Sequence, residues 1–215
     1  ISPKFIGSNT VELSALPLVD LEWRQAYFFS TVRGAGLNVI RQPGLKAGAR
    51  FTLDAGRKAQ ENPFLTGLPD VGRSIEFGLF FESLVGNWRL RTDLRKGLVN
   101  SGHNGLVASF DLAIASKLSK VSNIVVGGVT HYADSKYQKA YFDVLTSATG
   151  RTNFTADGAG FTDIGAYGTI VYNITNQMFI ASTLRTSLLV GNAADSSISQ
   201  DDAQYFFGTI IGWRL

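Results

Sequence analysis

The sequence predicts an all-β chain, a transmembrane antiparallel up-and-down β-barrel of about twelve strands, with ten as the alternative. Three observations predict it: period-two alternation of apolar and charged residues, links that alternate between short and long, and a composition low in charge but rich in glycine and aromatics. Charged residues make up 17% of the chain, below the roughly 25% of soluble domains, while 23 glycines and 12% aromatics favour close-packed β structure. Residues 1–215 are read as a single domain, because a barrel closes on itself and needs no second core.

Taken in order, the segment Pro17 to Arg24 sets Val19, Leu21 and Trp23 against Asp20, Glu22 and Arg24. Phe28 to Arg41 reads as one strand or, bending at Arg33-Gly34-Ala35-Gly36, as a short hairpin. The hairpin gives the even total that bacterial single-chain barrels favour. From Leu45, alternate residues through Ala55 are apolar, facing away from Lys46, Arg50 and Asp54. Ile75, Phe77, Leu79 and Phe81 oppose Glu76 and Glu82; Trp88, Leu90 and Leu94 oppose Arg89, Arg91, Asp93 and Arg95. Leu106 to Ile114 continues the pattern against Asp111 and Lys117, which weakens from Asn123 to Tyr132, where both faces are small or apolar. Met178 to Leu188 opposes Arg185, and Phe207 to Leu215 opposes Arg214.

The links are long at Arg57 to Val71, His131 to Ala159 and Gly191 to Asp202, medium at Asn100 to Asn104, and short at Arg41 to Gly44, Leu84 to Asn87, Leu118 to Val121 and Asn173 to Asn176. Short periplasmic turns and longer extracellular loops are the habit of outer-membrane barrels, which places both chain ends on the periplasmic side. The uncharged stretch Ile164 to Leu184 is long enough for a membrane helix, but the polar run Asn173 to Gln177 makes it two strands around a turn. A soluble barrel or sandwich is the competing fold. A soluble barrel of this many strands would enclose an apolar cavity that a chain of this length cannot fill. A sandwich has no need for links of alternating length. Trp23, Trp88, Tyr132, Tyr172 and Trp213 fall near strand ends, as interfacial girdles do. The chain opens at Ile1 without a leader, so an export signal is expected to have been removed.

The chemistry-bearing residues are few. Cysteine is absent, which excludes disulfides and thiolate metal sites. Net charge is +3, with basic residues scattered singly or in pairs, so no nucleic-acid tract exists. His103, after Ser101 in a glycine-rich loop, and His131, beside Tyr132 and Asp134, read as loop residues. A His-activated nucleophile in a lipid A-modifying enzyme is conceivable there, but Ser-x-His spacing alone is weak. The histidines and acids show no metal-ligand spacing, and neither a cofactor nor a catalytic set is implied. Arg33 to Gly36 lacks the third glycine and following helix of a phosphate loop. The inward charges Asp20, Glu22, Arg24, Lys46, Arg50, Asp54, Glu76, Glu82, Arg89, Arg91, Asp93, Arg95, Asp111, Lys117, Arg185 and Arg214 are nearly balanced in sign. A salt-bridged, occluded lumen and a narrow polar channel both remain open.

Several blocks, in order along the chain, carry a resemblance: Pro3-Lys4-Phe5-Ile6-Gly7-Ser8, Leu16-Pro17-Leu18-Val19-Asp20, Arg33 to Val39, Ser101-Gly102-His103-Asn104-Gly105-Leu106, His131-Tyr132-Ala133-Asp134 with Tyr141-Phe142, Gly191 to Ile198, and Phe206-Phe207-Gly208. The set resembles the MipA/OmpV family of outer-membrane proteins. That resemblance implies a non-enzymatic scaffold in a Gram-negative outer membrane, set in lipid and lipopolysaccharide and docking a murein hydrolase and a peptidoglycan synthase. Porin-like members are also described. Two departures stand out: the terminal Leu215 where the family ends in an aromatic residue, and a divergent segment from Thr146 to Gly158.

Overall fold

A computed structural model describes residues 1–144 and 152–213. Arg214, Leu215 and residues 146–151 of the divergent segment lie outside them. The regular structure is almost entirely antiparallel sheet. Its strands are β1 (Ser2–Pro3), β2 (Val11–Glu12), β3 (Asp20–Trp23), β4 (Tyr27–Ser30), β5 (Gly34–Gln42), β6 (Leu45–Asp54), β7 (Ser74–Val85), β8 (Trp88–Gly97), β9 (Leu106–Lys117), β10 (Ser122–Ala133), β11 (Gly160–Asn173), β12 (Met178–Leu189) and β13 (Ala203–Trp213). Two helices, α1 (Ser135–Phe142) and α2 (Asn192–Asp195), sit in the links. No helix among the described residues is long and apolar enough to cross a membrane.

Strands β3 to β13 form one eleven-stranded sheet in strict sequence order, and β1 pairs with β2 separately. The bend that leaves the strand count open is a true turn: Ser30 pairs with Gly34, and Ser30 Oγ accepts from the Val32 and Arg33 amides at 3.2 and 3.1 Å. The sheet is open, because the described residues contain no β3 to β13 pairing, so neither twelve strands nor ten are closed into a barrel here. The reason is local. β3 and β4 are four residues each, and the free edge of β13 is instead met by Ile1, whose ammonium donates to Phe207 O at 2.7 Å while Phe207 N donates back at 3.0 Å.

The weakly patterned segment around Asn123 is the continuous strand β10, hydrogen-bonded on both sides to β9 and β11. Alternation fails there because Gly127 must stay small: a Cβ would meet the Tyr167 hydroxyl at 2.7 Å. A bulge opposite His131 and Tyr132 then shifts the parity of β11, leaving Thr162 unpaired between Phe161 and Asp163.

Long links gather at one end of the sheet and form its only conventional hydrophobic cluster among the described residues. Leu65, Leu68 and Val71 from one link, Tyr141, Phe142, Val144 and Ala156 from a second, and Ala193 and Ile198 from a third pack together with Phe5. The helix α1, which the sequence reading left as loop, is started by Asp134, whose carboxylate accepts from the Tyr137 amide at 2.9 Å. The N-terminal segment also lies at this end, not at the short-turn end where the strand parity put it: Gly7 O accepts from the Gln200 amide at 2.7 Å. Phe5, stacked 6.2 Å from Phe64, anchors it.

Candidate functional site

Strand alternation gives the sheet two chemically distinct faces. One carries exposed Phe51, Leu53, Ile75, Phe77, Leu79, Phe81, Leu94, Phe110, Leu112 and Ile114. The other curls around a cavity of about 690 Å³ to which β6 through β13 all contribute, and which Pro3, Phe5 and Ile6 enter. Asp54, Glu76, Arg95, Asp111, His131, Asp163 and Arg185 line it.

Along this face the charges are paired between adjacent strands and across intervening ones. Arg50 binds Asp93, whose other oxygen takes Arg95 Nε at 3.0 Å. Arg95 Nη1 reaches Glu76 Oε2 at 3.0 Å, so β6, β7 and β8 are tied into one chain of alternating sign. Arg89 Nη2 donates to Asp111 Oδ1 at 3.1 Å and to the Tyr167 hydroxyl at 2.6 Å; that hydroxyl in turn donates to Asp111 Oδ2 at 2.7 Å, over the gap Gly127 leaves. Glu82 pairs with Arg91, and Lys46 with Glu22 at 2.9 Å. Each pair brings together side chains that period two puts on one face.

Among the described residues singled out in the sequence, Asp20, Arg24 and Lys117 take no part in interior ion pairs. Asp20 pairs with Arg33 at 2.5 Å on the exposed edge of the sheet. Arg24 lies over the Trp23 ring at 4.6 Å. Lys117 is exposed at the end of β9 with no ion pair among the described residues, and Arg214 is outside them. Of the aromatics, Trp88, Tyr172 and Trp213 stand at the short-turn ends of β8, β11 and β13, each about half exposed. Trp23 stacks on Tyr27 beside the β3 to β4 turn, and Tyr132 packs edge-on against Phe161 at the long-link end.

Three participants were missed by sequence reasoning. Asp163 accepts from Arg185 at 3.1 Å and lies 2.8 Å from His131 Nδ1; the Thr162 bulge hides its face from any period-two reading. His103, read as a loop residue, is completely buried, 3.2 Å from Glu76 Oε1 and 3.8 Å from Asp54 Oδ2. Arg57, read as part of a link, is buried and donates to Tyr141 O at 2.6 Å, holding the end of α1. Burial pushes its guanidinium below its usual range and raises the hydroxyls of Tyr137 and Tyr141 well above theirs.

The ordered sequence blocks imply a barrel; the described residues form an open eleven-stranded up-and-down sheet with one apolar and one charge-paired face. The profile of the family described as MltA-interacting protein MipA matches residues 1–215, the whole chain. The chain belongs to the MipA family. Comparison with curated proteins and with solved structures gave no match. Family membership supports an outer-membrane protein and, in this MipA-family chain, supplies no catalytic set to lay over the interior charges.

Proposed function

We propose that the chain is a closed outer-membrane β-barrel set in lipid and lipopolysaccharide that acts as a non-enzymatic scaffold, docking a murein hydrolase, and with it a peptidoglycan synthase, on its periplasmic surface. The observation that carries the reading is the pairing of the interior charges together with the hydrophobic cluster of links and N-terminal residues over one end. A lumen whose cations are matched to carboxylates and whose mouth is packed with Phe5, Leu65, Tyr141 and Phe142 is built to stay shut. The family description, in naming an interaction with MltA, supports the hydrolase as the partner. Crosslinking in intact cells, followed by purification in mild detergent, tests it. The expected result is co-purification of a murein hydrolase; recovery of the barrel alone, at crosslinking efficiencies that trap known periplasmic complexes, rejects it.

The second reading is a narrow channel for small solutes, favoured by the 690 Å³ cavity with its charged walls. Planar-bilayer recording separates the two. A scaffold gives no unitary currents, whereas a channel gives currents whose ion selectivity changes with Arg95→Gln. Expression of a non-enzymatic barrel is further expected to leave the acyl chains of lipid A unaltered, as read by mass spectrometry.

A further inference from the structure

His103, Glu76 and Asp54 come from three separate segments, yet their ligand atoms all lie within 4.8 Å of one another. His103 is fully buried, and although Nε2 is 3.2 Å from Glu76 Oε1, neither ring nitrogen makes a hydrogen bond. A buried imidazole whose ring nitrogens make no hydrogen bond is costly, since each has given up its hydration, and the fold holds this one in place from several sides. Its ring is packed edge-on against Tyr137, 4.9 Å between centroids, and its carbonyl accepts from Ser74 Oγ at 3.1 Å.

The carboxylates are arranged to match. Glu76 Oε2 is taken by Thr52 Oγ1 at 2.7 Å and by Arg95 at 3.0 Å, leaving Oε1 toward the imidazole. Asp54 Oδ1 is taken by the Tyr141 hydroxyl and by the Gly56 amide, the latter at 2.8 Å, leaving Oδ2 toward the same nitrogen. Among the described residues no donor other than His103 approaches Oε1 or Oδ2. One oxygen oriented by protein donors and the other left free is how outer-shell partners present carboxylates to a metal. Two ligands bound to a tetrahedral ion at about 2.0–2.1 Å stand about 3.3 Å apart, and the observed separations of 3.2 and 3.8 Å bracket that spacing.

We propose that His103 Nε2, Glu76 Oε1 and Asp54 Oδ2 form a binding site for a divalent transition-metal ion of the zinc type. One imidazole with two carboxylates suits zinc and its borderline neighbours better than calcium or magnesium, which take all-oxygen cages. Asp54 and Glu76 also line the interior cavity, so a fourth ligand position would open onto it. The ion would fasten the ends of β6 and β7 and the link between β8 and β9 together beneath α1. The site stands on its own geometry and does not depend on the scaffolding role.

The test uses the full chain in detergent micelles, stripped with a chelator and titrated with Zn²⁺ by calorimetry, with Co²⁺ absorption as the spectroscopic readout. One Zn²⁺ per chain is expected, with a visible Co²⁺ band showing nitrogen and oxygen ligation and a thermal midpoint several degrees higher than the chelated protein. The isosteric variants Asp54→Asn and Glu76→Gln should each weaken binding by at least about 100-fold, the upper end of what losing a mere outer-shell partner costs, while retaining the strand circular dichroism. His103→Ala should abolish it; should that variant fail to fold, the carboxylate variants decide. Tyr141→Phe, which frees Asp54 without removing a ligand, should weaken binding about 10-fold, the lower end for an outer-shell partner. No uptake by the wild-type protein, equal uptake by Asp54→Asn and Glu76→Gln, or competition by equimolar Ca²⁺ overturns the proposal.

Discussion

Arg95 shows how one side chain holds the interior together. It bridges two carboxylates, Glu76 with 2% of its side chain exposed and Asp93 with 9%. Removing it takes the guanidinium from Glu76 and leaves Asp93 with Arg50 alone, and losing a buried partner costs up to about 3–5 kcal/mol. Arg91, by contrast, is half exposed in its pair with Glu82, and such pairs contribute about 0–1 kcal/mol. Urea unfolding in micelles should therefore separate Arg95→Leu from Arg91→Leu by several kcal/mol; equal losses would mean that the interior is as wet as the surface. Gly97 makes a second argument at this scale. A Cβ there would fall 2.1 Å from His103 O and 2.9 Å from His103 Nδ1, both fixed by packing. Gly97→Ala should cost about 1–3 kcal/mol by overpacking, again read by urea unfolding, and replacing His103 by Ala should not restore it, because the nearest clash is with the backbone oxygen.

At the level of elements, the long strands were legible wherever one face is charged and the other apolar. In β8, Arg89, Arg91, Asp93 and Arg95 alternate with Trp88, Leu90 and Leu94, so two-residue periodicity gives both the strand and its sidedness. β10 blurred because Gly127 leaves room for the neighbouring strand's Tyr167, and Asp163 was lost to a one-residue bulge that inverts parity. The three-residue cluster at His103 was illegible for a different reason: its members belong to strands and a link that only register brings together. The helix α1 was missed too, because its buried face is the mixed set Gln138, Tyr141 and Phe142, whose partners lie in distant segments. Tyr137 and Tyr141 stack at 4.5 Å between centroids, and Tyr141 donates to Asp54. Burial raises both hydroxyls above their ordinary values. A raised tyrosine contributes stability that is complete below its unfolded pKa of about 10 and is lost as pH climbs toward the folded value. The thermal midpoint should thus fall above about pH 10, and less steeply in Tyr141→Phe; an equal slope would show that α1 is not the element responding.

For the whole molecule, the decisive matter is what solvates the outer face. Leu79, in the middle of β7 between Ala49 and Leu94, is 55% exposed, and Val85, at the β7 to β8 turn, is 71% exposed. In water both positions are surface, and substitutions at such positions stay within about 0.5 kcal/mol. In a bilayer they differ by depth: an arginine at the midplane of an outer-membrane strand costs about 2–4 kcal/mol, against about 0–1 near the interface. A membrane also forbids unpaired strand edges, which makes the gap between β3 and β13, where Ile1 already meets Phe207, the place where closure must occur. Leu79→Arg and Val85→Arg, refolded into lipid vesicles and unfolded with urea, should therefore differ by about 2–3 kcal/mol, the midplane variant being the weaker. If the two were equally stable in vesicles, the apolar face would not be facing lipid, and the membrane-spanning reading of the sheet would fall with it.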